Sequence, residues 1–186
     1  MATVDNSGLE ALRKQLAEAV SGQEKDAFFE RCCREMAARF LRKVIKRTPV
    51  GDGQFEAVRN DDGGYAKDKT GKPKLQRLTN GGTLRRGWTA GRNINPVSFA
   101  GTIRVRHLGK QYFLVIKNNT SYASYVEYGH RQEPGRFVPV LGKKLKKSWV
   151  RGQFMMTKSS KEVDSETPAI LQRRLEAFLR EVFNGK

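Results

Sequence analysis

QEKDAFFERCCREMAARFLRKVIK, residues Gln23–Lys46, decides how the rest of the chain is read. Its apolar residues come in pairs four apart: Phe28/Phe29, Cys32/Cys33, Met36/Ala37, Phe40/Leu41 and Val44/Ile45. A 3.6-residue turn gathers such pairs into one broad apolar face. Arg31, Arg34, Arg39, Arg42 and Lys43 fall largely off it. Ser21-Gly-Gln-Glu24 fits a capping box at the entry, as does Ser7-Gly-Leu-Glu10 further upstream. Lys46 and Arg47 suit the negative end of the helix dipole, and Pro49 stops the helix. At 1.5 Å per residue the stretch predicts a helix roughly 36 Å long, enough to cross a whole domain.

Outward from this helix the pattern changes twice. Residues 51–82 carry turn chemistry at Gly51-Asp-Gly53, Asp61-Asp-Gly-Gly64, Thr70-Gly-Lys-Pro73 and Asn80-Gly-Gly82 without apolar periodicity, which predicts a long polar surface loop. From Leu84 the period becomes two. Gly87–Arg92, Val97–His107 and Gln111–Asn118 read as strands of an antiparallel meander, with Leu108-Gly-Lys110 as a tight connection. Ile103 and Val105 alternate with Thr102, Arg104 and Arg106, as one buried and one basic face would. Ser121–Gly129 predicts a short helix or turn. Residues 131–148 read as a basic loop or hairpin ending in Gly142-Lys-Lys-Leu-Lys-Lys147. A last helix is expected to start at Thr167-Pro168, to carry Leu171, Leu175, Phe178 and Val182 on one face, and to stop at Asn184-Gly185. The expected fold is α+β: one domain over residues 1–186, with a small antiparallel sheet packed against the two helices.

Composition narrows the function classes. The 186 residues hold 36 Lys+Arg against 19 Asp+Glu, for a net charge of +17. Residues 69–161 contain 20 of the basic side chains but only Glu127 and Glu133 as acids, and 58 consecutive positions from Lys69 to Val126 have no acid. A field concentrated in this way attracts a polyanion or an acidic protein surface. The longest apolar run, Tyr112–Ile116, is far below the ~18 residues of a membrane span, so no membrane partner is expected. Met-Ala-Thr-Val-Asp lacks the layout of a secretion signal, and adjacent Cys32 and Cys33 cannot staple distant segments. His107 and His130 are the only imidazoles and belong to no nucleophile motif. No catalytic, cofactor-binding or metal-ligating residue is therefore expected. Two other readings stay open. One is a soluble nucleic-acid-binding module using the basic and aromatic residues of 69–161. The other is an unrecognised enzyme site around Asp61, Asp62 and His130.

The order of short motifs adds a resemblance. Arg47-Thr-Pro-Val-Gly51 is followed by Leu84-Arg-Arg-Gly-Trp88, by Asn119-Thr-Ser-Tyr-Ala-Ser-Tyr-Val-Glu-Tyr-Gly-His130, and by Trp149-Val-Arg-Gly-Gln-Phe-Met-Met-Thr-Lys158. From Leu9 to Phe183 the chain resembles the small tail-completion family of tailed bacteriophages, also described as minor tail components or neck proteins. It is most similar to those of contractile-tailed prophages and phage-tail-like particles. It departs from that pattern in the length of Gly51–Gly82.

The resemblance implies a non-enzymatic structural protein of the head–tail junction. It would form a ring with sixfold symmetry, contact neighbouring neck, tail-tube, sheath or connector proteins, and reside in a virion or tail-like particle assembled in the bacterial cytoplasm. Leu84, Arg85, Trp88, Tyr122, Tyr125, Glu127, Tyr128 and Gly129 are then candidates for the fold motif or subunit contact. Arg85, Arg86, Arg104, Arg106, Lys143, Lys144, Lys146 and Lys147 are candidates to line a lumen, touching DNA non-specifically, or to meet acidic partners.

Overall fold

The computed structural model describes residues 22–51, 55–78, 80–109, 111–139 and 143–184. The expected caps at Ser7 and Ser21 and the turn positions Lys110, Gly142 and Gly185 lie outside the described residues. The long helix forms as its spacing predicts. This helix, α1, spans Gly22–Arg47 and buries Phe28, Cys32, Ala37, Ala38, Leu41 and Val44. The other members of the apolar pairs are half-buried or, like Phe29, partly exposed.

The core gathers around the C-terminal half of α1. Ala37, Ala38, Leu41 and Val44 pack with Leu84, Trp88, Ala100 and Met155. Leu84 and Trp88 come from the short helix α2 (Thr83–Gly87) and its C-cap, Ala100 from α3 (Pro96–Thr102) and Met155 from the long C-terminal helix α5 (Met155–Asn184), while Ala123 and Val126 of α4 (Ala123–Tyr128) pack against this cluster half-buried. Ion pairs lock α1 to α5. Lys43 Nζ donates to Glu162 at 2.5 Å and to Glu166 at 2.8 Å, Arg47 also reaches Glu162, and Arg174 Nε donates to Glu35 at 2.6 Å.

The α+β class holds, with long helices at both ends and antiparallel strands between. The strand reading is corrected in three places. Gly87–Arg92 is not a strand, since Gly87 ends α2 and turns follow it, and Val97–Thr102 belongs to α3. The local signal for α3 is Asn95-Pro96: the Asn95 side chain accepts from Ser98 N at 2.9 Å, and Pro96 sits where no intrahelical N–H is needed. Only β3 (Arg106–Leu108) and β4 (Gln111–Phe113) pair from the expected meander. Side-chain alternation nevertheless persists beyond the ladder. Tyr112, Leu114, Ile116 and Asn118 are half-buried, while Phe113, Val115 and Lys117 are exposed.

Among the described residues, four two-stranded sheets replace the single sheet. The stretch 51–82, expected as a loop, contains β1 (Phe55–Ala57) paired with β2 (Leu75–Arg77), extended by the bridges Arg59–Tyr65 and Lys67–Pro73. The basic segment 131–148 takes the hairpin form. Its base is β5 (Gly129–Arg131) against β8 (Trp149–Arg151), and its tip is β6 (Phe137–Val138) against β7 (Lys143–Lys144).

The last helix is also longer than expected. It starts at Met155, 13 residues before Pro168, and runs through that proline. Proline leaves one carbonyl without its helical donor, but Val163 and Ile170 are buried on either side of it. Thr167 does not cap the helix; its hydroxyl donates to the Val163 carbonyl at 2.8 Å.

Candidate functional site

Two of the motifs meet at the end of α1. Thr48 is fully buried just past the last turn, and its hydroxyl donates to the Val44 carbonyl at 2.6 Å. The same oxygen accepts from the buried Trp88 indole N–H at 2.8 Å, and the Thr48 carbonyl accepts from Arg85 at 2.9 Å. Asn118 donates to the Leu84 carbonyl at 2.8 Å. Gly87 faces the Asn118 and Thr120 side chains so closely that a Cβ there would lie 2.2 Å from Asn118 Oδ1. Leu84, Arg85 and Trp88 thus bind the chain to itself. Arg85 is half-buried and committed to Thr48, which removes it from the outward-facing basic residues.

The Tyr-Val-Glu-Tyr-Gly segment, residues 125–129, performs a second internal task. Glu127 is only 4% exposed. Its carboxylate accepts from Met156 N at 2.8 Å, Thr157 N at 2.9 Å and the Thr157 hydroxyl at 2.7 Å. Those are first-turn groups of α5, which have no partner within the helix, and a negative charge there also meets the positive end of the dipole. Glu127 therefore caps a helix that begins 28 residues later in the chain.

Two glycines allow that approach. Gly129 has φ of +88°, and a Cβ on it would lie 2.3 Å from the Val150 carbonyl oxygen. One on Gly152 would lie 2.2 Å from the Glu127 carbonyl oxygen. The turn into α5 also places Phe154 at φ +53°, the left-handed region that L-residues rarely adopt. Bonds from Gln153 N to the Val126 carbonyl and from Phe154 N to the Glu127 carbonyl hold it there.

The remaining motif residues divide between core and surface. Tyr122 packs against the core, whereas Tyr125 and Tyr128 are 58% and 55% exposed. Trp149 is 50% exposed and its ring comes within 3.1 Å of the position a Gly129 Cβ would take. Tyr125 meets His130 edge to face at 5.7 Å. Tyr125, Tyr128 and Trp149 are thus exposed aromatic side chains on α4 and β8, the segments that the junction holds together.

The basic candidates other than Arg85 are exposed. Arg86 donates to the Gly81 carbonyl at 3.0 Å. Arg104 precedes β3 and Arg106 opens it; Lys143 and Lys144 form β7, followed by Lys146 and Lys147. They are thus distributed over three elements. Asp61 and Asp62 occupy the turn after Arg59, where Asp62 Oδ1 accepts from Gly64 N at 2.9 Å. Among the described residues no hydrogen bond or ion pair joins either of them to His130, and no cluster of His, Cys, Asp and Glu is arranged to hold a metal ion. Burial pushes both thiols, Cys32 and Cys33, up from their ordinary range. Among the described residues no helix is long and apolar enough to cross a membrane.

Three features escape sequence reading: the buried Thr48 hydroxyl, the capping of α5 by Glu127, and the Gly152 contact. A Thr before Pro at a helix end signals the first. The other two join residues far apart in the chain and have no local signature. Residues 10–129 match the family described as "Bacteriophage HK97-gp10, putative tail-component". No curated protein and no solved structure matches the chain.

Proposed function

The chain belongs to the HK97-gp10-like family of phage tail components, a structural protein rather than a catalyst, and from that premise we propose that it completes the tail at the head–tail junction. In this reading, copies close into a ring with sixfold symmetry at the neck or tail end of a contractile-tailed phage or phage-tail-like particle. They assemble in the bacterial cytoplasm and contact the neighbouring neck, tube, sheath or connector proteins. The whole chain acts as one domain.

Three exposed aromatic side chains carry this reading. Tyr125, Tyr128 and Trp149 stand exposed on a junction whose backbone is held by two glycine contacts and a buried carboxylate. Tyr and Trp exposed on an ordered support are enriched in protein contact surfaces. A closed ring requires a patch on one copy to meet a different patch on the next. Arg86, Arg104, Arg106, Lys143, Lys144, Lys146 and Lys147 would then face the lumen or acidic neighbours.

The test is mass photometry of the purified chain over a range of concentrations, combined with complementation of tail assembly. Tyr125→Ser with Tyr128→Ser is expected to shift the ring to monomers and abolish complementation while leaving the melting transition in place. A wild-type chain that stays monomeric at every concentration and is absent from purified tails overturns the reading. If instead the exposed cations grip DNA, binding falls with salt at a slope of about −0.9 per phosphate contacted. That outcome favours the nucleic-acid-binding alternative.

A further inference from the structure

Charge on α1 is arranged in a way that net charge does not disclose. A cleft of about 640 Å³ opens between α1, α3 and α5, walled on its apolar side by Phe28, Val97 and Phe178. Phe28 and Phe178 stack at 4.7 Å to form part of that wall. Five arginines line the cleft: Arg31, Arg34, Arg39, Arg42 and Arg174. Glu35 takes two of them, accepting from Arg39 Nη2 at 2.8 Å and from Arg174 Nε at 2.6 Å. Arg34 pairs with Glu30 through one nitrogen at 2.8 Å, and its Nε is buried with no partner. Arg31 and Arg42 are exposed and form no hydrogen bond or ion pair among the described residues. The cleft therefore holds two uncommitted guanidinium groups and one that is half-used.

The matching anion is on the same chain. Asp61 and Asp62 lie side by side on the turn of the 55–77 hairpin, exposed, and neither has a cationic partner among the described residues. The turn is internally fixed: Asn60 N donates to the Gly64 carbonyl at 2.8 Å, Gly63 N donates to the Asn60 carbonyl at 3.0 Å, and Asp62 accepts from Gly64 N. Nothing stands within 4 Å of the space beside Gly63, so the tip is unencumbered. A turn that is already ordered costs little entropy to dock, and guanidinium groups bind carboxylates through paired hydrogen bonds.

We infer that the Asp61–Asp62 turn of one copy seats in the arginine cleft of the next copy. This inference rests on the ring reading and gives it a head-to-tail contact, since the two surfaces are different parts of the chain. A second copy suits the cleft better than duplex DNA does. Two carboxylates on a compact turn match the two free arginines in number, whereas a duplex presents a long row of phosphates that an extended basic track, rather than a cleft also lined by Glu35 and Glu181, would follow.

The experiment is sedimentation velocity over a concentration series with three full-length variants: Arg31→Glu/Arg42→Glu, Asp61→Arg/Asp62→Arg, and the combination of all four. All the changed residues are exposed, and circular dichroism melts verify folding of each variant. Each one-sided reversal is expected to weaken association at least about tenfold, and the combination to recover it. A wild-type oligomer unaffected by either reversal overturns this contact while leaving the ring intact. Loss in both variants without recovery in the combination shows that the two surfaces meet other partners, which also overturns it. So does a parallel DNA titration in which Arg31→Glu/Arg42→Glu loses duplex binding while the oligomer persists. A wild-type chain that is monomeric throughout removes the ring reading itself, and this contact with it.

Discussion

The junction where α4, β5 and β8 meet α5, and the hairpins at 55–77, 106–113 and 137–144, are built from similarly short segments, yet they are stabilised by opposite means. At the junction, Glu127, Gly129 and Gly152 bring backbone against backbone and satisfy the first turn of α5. In the hairpins, β2, β3 and β7 are exposed along their whole length, and ladder bonds supply the order. The tail-component match ends at Gly129, within the junction, so Glu127 lies inside it while the helix that Glu127 caps lies outside. Dependence on a single atom is therefore expected at the junction and tolerance in the hairpins.

The largest effect should come from Gly152→Ala. Its new Cβ would fall 2.2 Å from the Glu127 carbonyl oxygen and 2.6 Å from Tyr128 C, both backbone atoms that side-chain rotation cannot move. Urea denaturation should show a loss of about 3 kcal/mol or more, in the range reserved for backbone strain and broken buried contacts. An alanine here that melts with the wild type would mean the two segments are not held together.

Glu127→Ala comes next. It removes the acceptor of three hydrogen bonds at the start of α5, and losing a cap of this kind costs about 2 kcal/mol. Glu127→Gln retains an acceptor oxygen and should lose less. Equal losses for the two variants would show that packing rather than capping is the role of Glu127. Trp88→Phe is milder still. Part of the ring packing is kept, but three ring atoms and the indole N–H that donates to Thr48 at 2.8 Å are gone, an expected loss of about 1.5 kcal/mol by thermal melts.

These residues also mark where sequence reading succeeds and where it stops. Helix α1 is legible because its apolar pairs recur with the helical period, and Leu41 and Val44 are fully buried as that pattern requires. The alternation at 111–118 reports which side chains turn inward, although only Gln111–Phe113 forms a ladder. Val97–Thr102 misleads because its branched and aromatic residues outweigh the Asn95-Pro96 helix start. The first 13 residues of α5 were hidden for a different reason: their cap is Glu127, remote in sequence. Charge behaves likewise. Counting by segment places the excess in 69–161, yet the arginine cleft arises largely from α1, whose eight basic and four acidic side chains are masked because residues 1–68 as a whole sum to zero, and Arg31 and Arg42 remain unmatched among the described residues.

Tyr112 lies between the two regimes, on a hairpin strand but rooted on α1. It stacks between Phe29 at 4.9 Å and His107 at 4.4 Å, and its hydroxyl donates to Asp26. That hydrogen bond to Asp26, reinforced by desolvation and by the negative charges of Asp26 and Glu30, pushes the phenol up to about 12 from 10. A phenol whose pKa is raised by folding contributes stability that is complete below pH 10 and is lost as pH rises toward 12. At the acid side the sign reverses. Burial pushes Glu35 up, but hydrogen bonds from Arg174 and Arg39 outweigh it and hold the carboxyl below its ordinary value of 4.5. Its contribution is present above pH 4.5 and disappears as the pH falls below it. Tyr112→Phe should therefore flatten the alkaline limb of a stability–pH curve and leave the acid limb alone. An unchanged alkaline limb would show that the hairpin is not anchored through Asp26.

The smallest effect on folding is expected from Lys143→Glu with Lys144→Glu. Both side chains are exposed on β7, where pairing to Phe137 and Val138 runs through the backbone. Substitutions of this kind stay within about ±0.5 kcal/mol, so melting should not distinguish the variant from the wild type. Any consequence must then appear in what the hairpin touches, as altered incorporation into tails or altered salt dependence of binding. Because Lys143 and Lys144 lie beyond the tail-component match, that outcome separates two uses of charge. Loss of assembly at unchanged stability would make the tip a contact specific to this chain. Unchanged assembly would leave the positive charge of β7 as a solvated surface.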